Sequence, residues 1–178
     1  MSTDNSHIIE KVNVRIEAIK DIESPYVLEC YAGKGVIWDI VKEKTGKEIT
    51  ILRIEKDINK GNKVYLPGDN LKYLSTIDLS KFDIIDLDAY GIPFKQCEIL
   101  FKRQYKGITI CTVIFSMYGS LNNKLLKYNN ITDAMIKKTK TIFFRNGFGK
   151  FKNYLYICGV RSLTGYYLGK YNYFFFKT

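Results

Sequence analysis

The sequence predicts an α/β fold, a mostly parallel sheet finished by an antiparallel hairpin. From residue 25 to residue 145, strand-length apolar runs alternate with stretches of helical period. One of those strands runs straight into a glycine turn and a helix, the corner from which parallel units are built. The last two strand-like runs, residues 154–160 and 166–176, are joined by Arg161-Ser162-Leu163-Thr164-Gly165. That connection is too short for a crossover, so the two runs predict a hairpin.

The chain has 178 residues, 46% of them hydrophobic and 15% aromatic, which suits one globular domain with a full core. Residues 1–24 form an N-terminal helix and residues 25–178 the core of that domain. No apolar run reaches the roughly 18 residues of a membrane span, and the N-terminus shows no secretory signal. Cys30, Cys97, Cys111 and Cys158 are scattered through apolar runs, and His7 is the only histidine. No zinc or other metal site is expected, and the cysteines read as reduced core residues of a cytoplasmic protein.

The net charge of +10 is unevenly spread. Residues 1–94 carry 13 Lys/Arg against 16 Asp/Glu, a balance of −3. Residues 95–178 carry 15 Lys/Arg against two acids, Glu98 and Asp133, a balance of +13. Such asymmetry predicts a positive face for a polyanion, against the plainer reading of a lysine-rich solvated surface. The oligomeric state is left open.

Taken in order, Ile9, Val12, Ile16 and Ile19 recur at helical spacing over residues 7–22, with Asn5 or Ser6 as the cap and Pro25 as the stop. His7 reads as exposed and without a role. The run Val27-Leu28-Glu29-Cys30-Tyr31-Ala32-Gly33-Lys34-Gly35 is a strand entering a tight turn, followed by a helix over 36–45. The glycines would let backbone N–H groups approach a ligand. No third glycine follows Gly35 at dinucleotide spacing, because Trp38 stands there, and no Gly-Lys-Ser/Thr follows either. A turn without a phosphate grip suits a nucleoside ligand such as S-adenosylmethionine. A second strand over 48–54 ends at Glu55, placed where a carboxylate accepts ribose hydroxyls. A short third strand over 63–66 precedes Asp69 and Asn70, a helix cap that is also able to meet an adenine amino group.

The fourth strand, 82–87, runs into Asp86-Leu87-Asp88-Ala89-Tyr90-Gly91, and two acids at a strand end imply contacts of consequence. A helix over 94–105 and a fifth strand over 107–115 follow. Residues 116–130 read as an irregular loop, and Thr132 caps a helix over 133–145 that carries Lys137, Lys138 and Lys140.

Five strand–helix units closed by a hairpin resemble the class I S-adenosylmethionine-dependent methyltransferases over nearly the whole chain. The resemblance implies a Rossmann-like, seven-stranded sheet with helices on both faces. The run from Val27 to Gly35 is similar to that family's first motif, with Glu29 where Asp is usual. By that likeness Glu29, Tyr31, Ala32, Gly33 and Gly35 form the cofactor turn, Glu55 binds the ribose, and Asp69 with Asn70 binds the adenine. The fourth-strand run is similar to the Asp-x-Asp-Pro-Phe/Tyr-Gly motif of tRNA guanine-N2 dimethyltransferases and to the Asp/Asn-Pro-Pro-Tyr motif of amino-methylating enzymes. It implies that Asp88 orients an exocyclic amine, that Tyr90 stacks on the base, and that Asp86 touches the cofactor. Ala89 departs from the proline of both motifs.

The expected activity is therefore methylation of a nucleobase amine in RNA or DNA, with Lys137, Lys138 and Lys140 gripping the nucleic acid. Methylation of a small molecule or protein, and an inactive binding module, are the alternatives.

Overall fold

The computed structural model describes residues 7–57, 64–114, 121–139, 141 and 146–177. The predicted caps Asn5 and Ser6, the predicted strand start Lys63, and Lys140 lie outside the described residues. Seven strands form one sheet in the order β3-β2-β1-β4-β5-β7-β6. They are β1 (Tyr26–Cys30), β2 (Thr50–Glu55), β3 (Leu66–Pro67), β4 (Ile84–Leu87), β5 (Ile108–Ile114), β6 (Thr164–Leu168) and β7 (Tyr171–Lys177). The first five strands pair in parallel. β7 is inserted antiparallel between β5 and β6, as the resemblance implied.

Among the described residues, two helices pack on one face of the sheet and four supply most of the helical packing on the other. α1 (Ile8–Ala18) and α2 (Val36–Thr45) pack a core of Val12, Val14, Ile19, Trp38 and Val41 against Val27, Ile84 and Ile110. α3 (Asn70–Thr76), α4 (Phe94–Lys102), α5 (Asn123–Tyr128) and α7 (Gly147–Ile157) pack the larger core, which includes Leu28, Ile85, Leu87 and Val113. α6 (Asp133–Lys138) buries none of its side chains. Successive strand residues alternate between faces, so each central strand serves both cores.

The C-terminal quarter corrects the expectation. Residues 154–160, read as a strand, belong mostly to α7. Phe151, Tyr154 and Leu155 lie three and four residues apart and are all buried, which is one helical face. Asn146 caps this helix by accepting from Gly149 N–H. An aromatic-rich apolar run fits helix or strand equally well, and packing decided it. The hairpin instead lies within the last predicted strand, where Gly169 (φ 65°) and Lys170 make its turn. The loop predicted over 116–130 contains α5, capped by Asn122 on Lys124 N–H.

In α1 the buried stripe is Lys11, Val12, Val14, Arg15 and Ala18, whereas Ile9 is 64% exposed. His7 is half-buried against Tyr171, not free in solvent. Cys30, Cys97 and Cys111 are buried and unbridged. Among the described residues no helix is long and apolar enough to cross a membrane, and no group of three or more His, Cys, Asp or Glu is placed to hold a metal ion.

Candidate functional site

Strand order reverses between β1 and β4, and in open sheets of this kind ligands bind outside the carboxyl ends at that point. Glu29, Tyr31, Gly33 and Gly35 come from the end of β1, Glu55 from the end of β2, and Asp69 and Asn70 from the start of α3. Asp86, Asp88 and Tyr90 come from the end of β4. The fold thus brings the proposed cofactor and catalytic residues to one edge of the sheet. Lys137 and Lys138 are exposed on α6.

The β1 turn differs from expectation in what its amides do. Ala32 N–H donates to Ile54 O at 3.2 Å, Gly33 N–H to Glu55 Oε2 at 2.8 Å, and Gly35 N–H to Ala32 O at 2.8 Å. Those donors bind the turn to β2 and to itself instead of facing a ligand. Gly35 has an internal reason as well. At φ 67°, a Cβ there would lie 2.8 Å from Arg53 Nε. Arg53 is held between Glu29, at 2.9 Å, and Asp39, at 3.6 Å. The Glu29–Arg53 pair is close but not aligned as a hydrogen bond, since both facing atoms lack a partner by geometry.

Burial, reinforced by Asp86 and opposed by Arg53 and Arg15, pushes the Glu29 carboxyl up to about 8. Glu29 lies buried beneath the turn, between Arg53 on β2 and Asp86 on β4. Glu55, 7% exposed, accepts from Gly33, Lys56 and Asp57 N–H groups. Asp69 caps α3 by accepting from Leu71 N–H, so its turn-and-cap reading holds.

The fourth-strand acids are tied to α1, which the sequence did not announce. Arg15 donates twice to Asp86, from Nε at 2.7 Å and Nη2 at 2.9 Å, and Trp38 Nε1 donates to the same carboxylate at 2.7 Å. Asp86 is wholly buried, and its bonds to Arg15 and Trp38 hold α1 and α2 to the sheet. Lys11 Nζ straddles the Asp88 carboxylate at 3.2 Å from each oxygen, and Arg15 Nη2 lies 3.5 Å away. Burial alone would raise the Asp88 pKa, but Arg15, Lys11 and a hydrogen bond to Thr112 outweigh it and hold Asp88 below the usual range. Lys11 and Arg15 stand at i and i+4 amid the apolar stripe of α1, and that was the available signal. Tyr90, by contrast, is 81% exposed.

On the opposite face, Tyr31 adopts φ 65°. That left-handed conformation costs a non-glycine residue about 1–2 kcal/mol. Its hydroxyl accepts from Gln96 Nε2, and Gln96 also donates to Asn70 Oδ1 at 3.1 Å. Asn70 and Gln96 are 8% and 7% exposed. Gln96 was missed because, as a polar residue in the first turn of α4, it looks like helix surface. A separate groove of about 470 Å³, lined by Asn13, Glu17, Thr164, Tyr166 and others, lies between α1 and β6, away from this edge.

No family model and no curated protein sequence matches the chain. Solved structures match it in fold. An S-adenosylmethionine-dependent methyltransferase from Archaeoglobus fulgidus aligns with a TM-score of 0.53 at 17% identity, covering 88% of this chain and 70% of that one. The apo form of the S-adenosylmethionine-dependent methyltransferase SibL aligns at 0.51 and 10% identity over 93% of this chain, which spans about half (54%) of SibL. A Staphylococcus aureus protein described as a caffeoyl-CoA O-methyltransferase aligns at 0.52 and 14% identity, covering 94% and 82%. The fold is thus the Rossmann-like one that these methyltransferases share.

Proposed function

We propose that this chain is an S-adenosylmethionine-dependent methyltransferase acting on an exocyclic amine of a nucleobase in RNA or DNA. The observation that carries this reading is the end of β4, where a partly open Asp88 stands two residues from an outward-facing Tyr90, beside the β1 turn. An exposed aromatic residue two positions from a carboxylate suits a flat, amine-bearing acceptor, and stacking of that kind contributes about 1–3 kcal/mol per base.

The residues at the sheet edge fit the cofactor. Glu55 is a carboxylate at the end of β2, and Asn70 is a buried amide at the start of α3. In this reading Glu55 holds the ribose, Asp69 and Asn70 hold the adenine, and the turn of residues 31–35 supports the methionine part. Bound there, the cofactor supplies an electrophilic methyl group. Asp88 accepts a hydrogen bond from the acceptor amine and Tyr90 stacks on its ring, so the protein's contribution is positioning. Lys137, Lys138 and Lys140 belong to the basic half and contact phosphates.

A second reading has its own support. Both Asp88 oxygens already engage Lys11, so an incoming amine would have to share this carboxylate with an ammonium group. That favours a small-molecule acceptor that does not depend on this carboxylate.

Calorimetric titration with S-adenosylhomocysteine tests the cofactor assignment. Micromolar binding that is lost in Glu55→Ala is expected, and binding that Glu55→Ala leaves unchanged refutes the ribose assignment. Labelled-methyl transfer to RNA, DNA and small aromatic amines then separates the acceptors. Asp88→Ala abolishes transfer to nucleic acid under the first reading and spares transfer to small molecules under the second.

A further inference from the structure

The polar cluster of Tyr31, Asn70 and Gln96 sits where three carboxyl-end loops meet. Tyr31 follows β1, Asn70 opens α3 after β3, and Gln96 lies in the first turn of α4 after β4. The hydrogen bonds from Gln96 to Tyr31 and to Asn70 therefore cross the crevice at the switch point between β1 and β4. The Tyr31 ring is partly buried against the larger core, and its hydroxyl also meets the Asn70 side chain.

A flat aromatic ring in an apolar recess, with its polar tip held by two buried amides, has the chemistry of a nucleobase in its slot. Backbone strain supports a functional cause for this placement. Residue 31 is held at positive φ, where glycine would sit without cost, and strain of this kind concentrates at ligand sites.

We propose that Asn70 and Gln96 form the slot for the cofactor's adenine ring and that Tyr31 is an internal occupant that must swing out for adenine to enter. The proposal rests on the cofactor reading above and adds Gln96 as a binding residue and Tyr31 as its gate. Apparent affinity is then the slot's intrinsic affinity reduced by the fraction of molecules with Tyr31 withdrawn. The Asn70 Oδ1 that would face an adenine amino group is the atom that Gln96 engages while Tyr31 is in place.

The test is titration of the full chain with S-adenosylhomocysteine and, separately, with adenosine, following melting by circular dichroism. Tyr31→Gly removes the occupant and accepts the positive φ. It should tighten both ligands about tenfold, equivalent to about 1.4 kcal/mol. Adding Gln96→Ala to Tyr31→Gly should give back about tenfold, because the slot then lacks one wall. Tyr31→Phe keeps the ring but loses the hydroxyl bond, and should tighten binding about threefold even if the glycine variant folds poorly. Unchanged or weaker binding in a folded Tyr31→Gly or Tyr31→Phe chain overturns the gate while leaving the cofactor reading intact. Failure of the wild type and of every variant to bind either ligand overturns both.

Discussion

Alternate residues of the same central strands build two unlike surfaces. Toward α3, α4, α5 and α7, β1 and β4 present Leu28, Cys30, Ile85 and Leu87, all fully buried and apolar. Toward α1 and α2 they present Val27 and Ile84, then Glu29, Asp86 and Asp88, answered by Arg53, Arg15 and Lys11. Glu29 and Asp86 stand side by side in the β1–β4 register, so two carboxylates meet under the helices. Burying unpaired charge costs far more than burying methyl groups gains, so truncation on one face leaves a cavity and on the other an unpaired charge. The apolar face holds by area and shape, the charged face by complementarity.

Breaking that complementarity should have the largest effect. Arg15→Met leaves Asp86 buried without its cation and should cost about 3–5 kcal/mol, read as a lower denaturant midpoint. Arg15→Met combined with Asp86→Leu should recover most of that loss, since an apolar replacement of the whole pair is often neutral. Failure of the double variant to recover would mean that Trp38 and the Lys11 carbonyl need the charged groups for themselves. On the apolar face, Leu155→Ala should cost about 2–5 kcal/mol through a cavity, with no dependence on pH.

Acid–base behaviour sharpens the contrast. Glu29 is raised in the folded chain to about 8, so it keeps its proton to higher pH than in the unfolded chain. The unfolded state releases that proton first, so stability falls as pH rises from about 4.5 toward 8 and the contribution is fully present only below that window. Glu29→Gln should flatten this segment of the stability–pH profile, by a slope of at most about 1.4 kcal/mol per pH unit. A profile unchanged by the substitution would show that Glu29 is ionised in place. The smallest effect is expected for Lys11→Met. It removes one partner from a partly open Asp88, and should cost about 1 kcal/mol while raising the pH at which Asp88 takes up a proton.

The two faces also differ in how well the sequence disclosed them. The helix over 36–45 was placed to the residue, because Gly35 and Gly46 bracket it. The parallel strands were found because buried β-branched runs between turn residues are distinctive. The acids at the end of β4 were visible, but their partners were not, because a salt bridge across 71 or 77 residues leaves no local pattern. The aromatic stretch around Tyr154 was misread since its helical period became decisive only against Phe94 and Phe101, which it meets edge-on. Gly33 and Gly35 were expected to open their amides to a ligand. Instead, long-range bonding to Glu55 and the nearness of Arg53 account for them, and neither is written in the turn itself.

The pairing of Arg15 with Asp86 also bears on how the chain assembles. It joins the first helix to a strand 71 residues later, across everything from β1 to β3. Contacts of such separation close late, after the loop entropy has been met by nearer pairings. The two buried cations of α1 meet their acids only where β4 carries Asp86 and Asp88 to the end of the sheet. On that ground α1 is expected to dock late, and its docking is the step at which the charged face of the sheet becomes a protein interior.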